Sequence, residues 1–291
     1  MDFTSHDNGT MELKQEFLIN RIIEALKFDS EMSNTKPNPA CKPILHKDPD
    51  GPPRKHTWHY RSVIGMLNYL EKTSRPELAF AVHQCARFCE DPKLCHEKAV
   101  HKIIRYLMST KDKGIIFRPD VSKGIECYVD ADFAGGWNSS EATNPANVLS
   151  RTGYVIMYCG CPLVWMSKLQ TEIALSTTEA EYIALSQSMR KLIPLLGMLS
   201  EIAPVFGVVK TVPEIKCSLF EDNNSCLALA KAPRMNPRTK YISLKYHHFR
   251  SHVGTLVNLF PIDTLEQIAD IFTKPLDDKK FTYLRKKLCG Y

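Results

Sequence analysis

Four carboxylates stand out by the segments that carry them. Asp130 interrupts the strand-like run Cys127-Tyr128-Val129-Asp130-Ala131-Asp132-Phe133, and an acid in such a run needs a local reason, because burying an unpaired carboxylate is costly. Asp222 closes a second short apolar run, Asp270 lies on a late helical pattern, and Glu181 lies in the first turn of a long one. Helical spacing does not choose between Glu181 and its neighbour Glu179, since one precedes Tyr182 by three residues and the other precedes Leu185 by four on the same apolar stripe. If the fold draws these groups together, their hard oxygen donors suit two Mg²⁺ ions, with Mn²⁺ as a substitute. Two such ions about 3.5–4 Å apart generate a hydroxide and stabilise the leaving 3′-oxygen in phosphodiester hydrolysis.

The elements that must position them follow from periodicity. Apolar residues at helical spacing predict helices over 17–28, 61–72, 76–89 and 92–108, the last two opening at a proline, which suits the first helical turn. The residues before 17 read as a loose end, and six prolines between 36 and 54 make an extended connector. From about residue 120 the pattern changes. Short alternating runs at 124–133, 153–158 and 162–167 predict three antiparallel strands. They are followed by a helix from 177 with a kink at Pro194, a strand at 215–221, helices at 223–231 and 246–253, a strand at 256–262 and a helix at 265–272. The order β-β-β-α-β-α-α-β-α is that of the ribonuclease H fold. The expectation is an α/β (α+β) chain in two parts: a mainly helical segment over 1–120, and a ribonuclease H-like mixed sheet with flanking helices over 121–291.

Composition narrows the function classes. With 44% hydrophobic residues and 13 glycines in 291, the chain is neither collagenous nor disordered. The most apolar stretch, 192–209, contains Pro194, Glu201 and Pro204, so no membrane span is expected, and residues 1–10 are too polar for a signal peptide. Ten cysteines without a C-x-x-C pair read as buried reduced thiols, including Cys89 and Cys95, which lie near His96. A net charge of +6 fits a polyanionic partner. The helix over 92–108 adds Lys93, Lys98, Lys102 and Arg105 beside its apolar stripe, a pattern suited to gripping phosphates.

Several ordered motifs carry a resemblance. They are Tyr60-Arg61-Ser62-Val63-Ile64-Gly65, Tyr128-Val129-Asp130-Ala131-Asp132-Phe133-Ala134-Gly135, Ser150-Arg151-Thr152-Gly153-Tyr154 and Trp165-Met166-Ser167-Lys168-Leu169-Gln170, then Ala174-Leu175-Ser176-Thr177-Thr178-Glu179-Ala180-Glu181-Tyr182-Ile183-Ala184-Leu185, and finally Ala269-Asp270-Ile271-Phe272-Thr273-Lys274-Pro275-Leu276. Together, over residues 58–276, they resemble the polyprotein of copia-type LTR retrotransposons. The resemblance implies the C-terminal end of a reverse transcriptase followed by a ribonuclease H domain, a hydrolase that cuts the RNA strand of an RNA·DNA hybrid. It assigns the metal-binding and catalytic carboxylates to Asp130, Glu181, Asp222 and Asp270, choosing Glu181 over Glu179 by the Ala180-Glu181-Tyr182-Ile183-Ala184-Leu185 pattern. Nucleic-acid contacts are expected from Lys168, Arg190, Arg234, Arg238, Lys240, Lys245 and Arg250, directed at phosphates and 2′-hydroxyls rather than base edges. The implied partners are the hybrid and the rest of the polyprotein, in a cytoplasmic retroelement particle or the nucleus, without a membrane or secretion.

Tyr128-Val129-Asp130-Ala131 lacks the second aspartate of a polymerase hairpin, so no polymerase site is expected in this chain. The truncated polymerase region and the changed element at Tyr241 and Ser243 favour an alternative, a catalytically inactive relic that folds and binds nucleic acid. Tyr241 and Ser243 stand where the family has histidine and aspartate, and Phe260 occupies the neighbourhood in which cellular ribonucleases H often carry a mobile histidine. His247, His248 and His252 are the substitutes at hand, although half-buried structural histidines are the plainer reading.

Overall fold

Asn8-Gly9 closes a tight turn near the start of the chain, with Gly9 at φ +78° and the Thr10 N–H donating to Asn8 Oδ1 at 3.0 Å. In the computed structural model, which describes residues 1–27, 35–137, 147–205, 216–232, 242 and 244–291, this turn joins β1 (Asp2–Ser5) to β2 (Met11–Lys14). The expected loose end is therefore a hairpin. Its outer strand is exposed at every position, so it shows no apolar alternation to betray it. After β2 come α1 (Glu16–Ala25), α2 (Tyr60–Thr73), a 3₁₀ turn at Pro76–Leu78, α3 (Ala79–Ala86), α4 (Leu94–Met108) and β3 (Ile115–Phe117). β3 pairs antiparallel with β2, giving the order β1-β2-β3, so this part is not purely helical. The chain divides into two units, Met1–Arg118 with Lys274–Tyr291, and Pro119–Thr273.

In the first unit, α2 buries Val63, Ile64, Leu67 and Leu70, and α4 buries Val100, Ile103, Ile104 and Leu107. Each such side chain contributes about 1.5–3 kcal/mol of burial. The proline-rich connector is extended and tied by its backbone: Lys102 Nζ donates to the Ala40 carbonyl, and the Leu94 N–H donates to Pro52 O at 2.9 Å. Lys93 pairs with Asp91 at 3.1 Å. Two of the four cations expected to grip phosphates are thus engaged within the chain.

The second unit is built on a five-stranded sheet. β4 (Ile125–Asp132), β5 (Arg151–Tyr158) and β6 (Cys161–Leu169) are antiparallel neighbours. The chain then forms α5 (Thr177–Val205), β7 (Cys217–Glu221), α6 (Asn224–Lys231), β8 (Val257–Pro261) and α7 (Asp270–Thr273). β7 is parallel to β4 and β8 is parallel to β7, giving the order β6-β5-β4-β7-β8 in a mixed sheet. Alternation puts Ile125, Cys127, Val129 and Ala131 of β4 in one core with Tyr182, Leu185, Met189 and Leu192 of α5.

The helix expected from 177 is α5, which runs on through Pro194 and Pro204. Two other expectations differ here. The helix expected at 246–253 is a pair of 3₁₀ turns, Leu244–Tyr246 and Arg250–His252, because the three-residue spacing of buried Tyr246 and Phe249 fits either helix type. The late helix is only four residues long, because the buried Gln267 amide donates to Val129 O at 2.9 Å and draws the preceding chain across the sheet.

The chain ends in α8 (Asp278–Cys289), started by Asp277 Oδ1, which accepts from the Lys279 and Lys280 N–H groups at 3.0 Å, and stopped by Gly290 at φ +86°. The sequence reading groups these residues with the sheet unit, but they belong to the first. Phe281 packs edge-on against Tyr106, and Leu284 and Leu288 are buried. In the same unit, fully buried Arg75 donates to Glu77 Oε1 at 2.7 Å, to Thr110 O at 3.0 Å and to Thr110 Oγ1 at 2.7 Å. The Tyr291 and Tyr106 hydroxyls donate to the same Glu77 oxygen at 2.9 and 3.2 Å. Removing one partner of a buried pair strands the other charge and costs about 3–5 kcal/mol. Glu77→Ala is therefore expected to lower unfolding free energy by about that amount, read from urea titrations, and Tyr291→Phe by about 1 kcal/mol.

Candidate functional site

Asp130, Glu181 and Asp222 each offer an oxygen such that the three lie within 4.8 Å of one another. They come from β4, from the N-terminal part of α5 and from the residue that follows β7. Asp130 is 1% and Glu181 6% exposed, and Asp222 is half-buried.

Local chemistry holds each in place. The Thr273 hydroxyl of α7 donates to Asp130 Oδ2, and the Thr264 hydroxyl donates to Asp222 Oδ2 at 3.0 Å. α7 can approach because Gly153, the cross-strand partner of Asp130, has no side chain. A Cβ there would lie 2.6 Å from Thr273 Cγ2 and 2.8 Å from Phe272 Cβ. Ser167 Oγ donates to Phe272 O at 2.6 Å and fixes the same segment. At the start of α5, the Glu179 N–H donates to Ser176 Oγ at 3.1 Å and the Leu175 N–H to Glu179 Oε2 at 2.7 Å. Glu179 is thus occupied in a capping arrangement, and Glu181 is the glutamate beside the two aspartates.

Asp270 opens α7 fully buried and does not join the group of three. Lys168 and Arg190 are exposed on β6 and α5. Lys245 pairs with Glu172, and Arg250 donates to the Ala232 carbonyl, so both are engaged within the chain. Arg234, Arg238 and Lys240 lie outside the described residues, as do Tyr241 and Ser243. His247 Nδ1 lies 2.7 Å from the Tyr182 hydroxyl, and burial together with Arg250 lowers its pKa. His96 is fully buried: its Nδ1 accepts from the Lys93 N–H at 2.9 Å and its Nε2 donates to His46 O at 2.7 Å, which leaves no lone pair for a metal beside Cys89 and Cys95. All ten cysteines are free thiols.

Sequence reasoning passed over Glu221. It is fully buried, and its Oε1 accepts the Asn223 N–H at 3.0 Å. Burial, reinforced by the charges of Asp130 and Asp222, pushes its carboxyl well above the usual range, although the Asn223 bond opposes this. The signal was the alternation Cys217, Leu219, Glu221, which turns all three to the core. Thr273 lies in the last of the sequence motifs, and nothing local marks it as a partner of Asp130.

Over 230 residues, 79% of its length, the chain is 30% identical to the Retrovirus-related Pol polyprotein from transposon RE2 of Arabidopsis thaliana. Over 234 residues it is 36% identical to the Retrovirus-related Pol polyprotein from transposon TNT 1-94 of Nicotiana tabacum. It spans 15% and 16% of those two proteins. A stretch of 132 residues, 45% of the chain, is 36% identical to the Secreted RxLR effector protein 161 of Plasmopara viticola and covers 87% of it. No family model and no solved structure matches the chain. Over 78–79% of its length the chain is thus homologous to copia-type retrotransposon Pol polyproteins, which supports a retroelement origin. Among the described residues, no helix is long and apolar enough to cross a membrane.

The close approach at Gly153 is directly testable. Gly153→Ala is expected to lower stability by about 1–3 kcal/mol, as overpacking does, and to expose Phe272, measured by chemical denaturation and by hydrogen exchange of the 269–273 amides.

Proposed function

We propose that the Pro119–Thr273 unit is a ribonuclease H-like nuclease that cuts the RNA strand of RNA·DNA hybrids, and that the preceding helices derive from the end of the reverse-transcriptase region. The observation that carries this reading is the convergence of Asp130, Glu181 and Asp222 within 4.8 Å from three separate elements. The mixed sheet order and retroelement ancestry support it. The donor set is all hard oxygen, which fits Mg²⁺ or Mn²⁺ and does not favour a nitrogen- or sulfur-seeking metal. Two bound ions supply an activated water and charge stabilisation at the leaving 3′-oxygen.

The chain's own residues do the rest. Asp130, Glu181 and Asp222 hold the ions, and Asp270 is assigned as the fourth carboxylate. Thr273 orients Asp130, and the Ser176–Glu179 cap keeps the first turn of α5 in register, so that Glu181 is presented at a fixed height. Lys168 and Arg190 are free to meet phosphates, and Arg234, Arg238 and Lys240 join them in this reading. Lys245 and Arg250 contribute only by leaving their partners.

The purified chain with a labelled hybrid and Mg²⁺ is expected to cleave the RNA strand, and EDTA is expected to abolish cleavage. Folded protein that binds hybrid without cutting it would favour the inactive relic. Asp130→Asn, Glu181→Gln and Asp222→Asn should each reduce cleavage by several orders of magnitude, while Glu179→Gln leaves it within a small factor. Ca²⁺, with its looser coordination, is expected to support hybrid binding without cleavage, a contrast read by gel shift beside the cleavage assay.

A further inference from the structure

A second group of potential ligands lies in the first unit, remote in character from the carboxylates. Glu97 and His101 are one turn apart on α4, which puts them on the same face. His56 comes from the segment before α2, and donor atoms of the three lie within 4.8 Å of one another. Glu97 is 1% exposed, yet its carboxylate is held by the Lys55 and His56 N–H groups at 3.3 and 3.1 Å, with His56 Nδ1 2.9 Å from Oε1. Backbone donors that fix a carboxylate in this way are what orients ligands in metal sites. His101 is 7% exposed and meets the His56 ring edge-on at 5.2 Å, with Trp58 at 6.1 Å as a wall.

Two imidazoles and one carboxylate form a borderline donor set. It suits Zn²⁺ far better than Mg²⁺, and three protein ligands leave a fourth tetrahedral position for water. With bonds of about 2.0–2.2 Å, tetrahedral ligand atoms stand about 3.4 Å apart, so the His56–Glu97 contact must open by about half an ångström. The His56 side chain is half exposed and can make that movement. Arg105, one turn further on, adds a like charge that Glu97 offsets.

We propose that His56, Glu97 and His101 bind one Zn²⁺ ion, which staples the segment preceding α2 to α4. The plain alternative is an isolated His56–Glu97 ion pair.

The test uses the full chain carrying Asp130→Asn and Asp222→Asn, so that the carboxylate group does not compete for the metal. Zinc content after equilibrium dialysis and zinc titration calorimetry are measured on this parent and on the parent with His56→Gln or His101→Gln. One Zn²⁺ per chain is expected in the parent, with affinity at least tenfold weaker in each variant, since even outer partners of a ligand are worth 10–100-fold. Zinc should also raise the melting temperature of the parent but not that of His56→Gln, which alters an exposed side chain and should fold normally. No zinc binding in the parent, or equal affinity in parent and both variants, would overturn the proposal. Neither result bears on hybrid cleavage by the wild-type chain.

Discussion

Mutual repulsion among carboxylates is the constraint around which the sheet unit is organised. Three acids within 4.8 Å, two of them almost wholly buried, repel one another strongly where water is scarce. Glu221, buried beside them, is held toward its protonated form by burial and by its neighbours' charges. Such a cluster persists only if the backbone around it is pinned. Gly153 lets α7 lie against the sheet, Gln267 ties the approach to α7 to β4, and Ser167 holds the Phe272 carbonyl. A divalent cation would turn the same repulsion into attraction.

The first unit solves a similar problem in the opposite way. Arg75 and Glu77 bring both signs of charge into the interior, and two tyrosines and a threonine complete the hydrogen bonding. The pair is satisfied internally and needs no ion. Its demand falls on the chain end instead, because Tyr291 supplies one of the donors. The lysines of α4 illustrate the same economy. Lys102 and Lys93 bind a backbone carbonyl and an aspartate of their own unit, so of the four cations expected to meet nucleic acid, Lys98 is the exposed one on the helix.

Much of the core was legible because period is a local property. The apolar stripes of α2, α4 and α5 and the alternation of β4 and β7 can be read within one window of sequence, and Leu67, Val100, Leu185, Val129 and Leu219 on them are interior. The carboxylates were legible for a related reason, since an acid in a strand-like run stands out against its neighbours. Ambiguity began where local pattern allowed two answers. The cap at Ser176 separates Glu179 from Glu181, and it depends on where the backbone of α5 starts rather than on spacing along the helix.

By itself, the sequence pointed to two parts, gave the order of the main strands and helices, and marked the candidate acids. Tertiary structure decided what those elements touch. It paired an exposed hairpin with a strand from beyond α4, and it returned α8 to the first unit. It also shortened α7 by drawing Gln267 across the sheet, and it placed Thr273 on Asp130 and Glu221 beside Asp222. It brought His56 to a helix face 41 residues away in sequence, which no local pattern announces. The physical reason is common to all of these. Periodicity records which face of an element avoids water, but a hydrogen bond or ion pair between distant segments depends on the closure of the whole chain, and a single polar residue carries no mark of the partner it will meet.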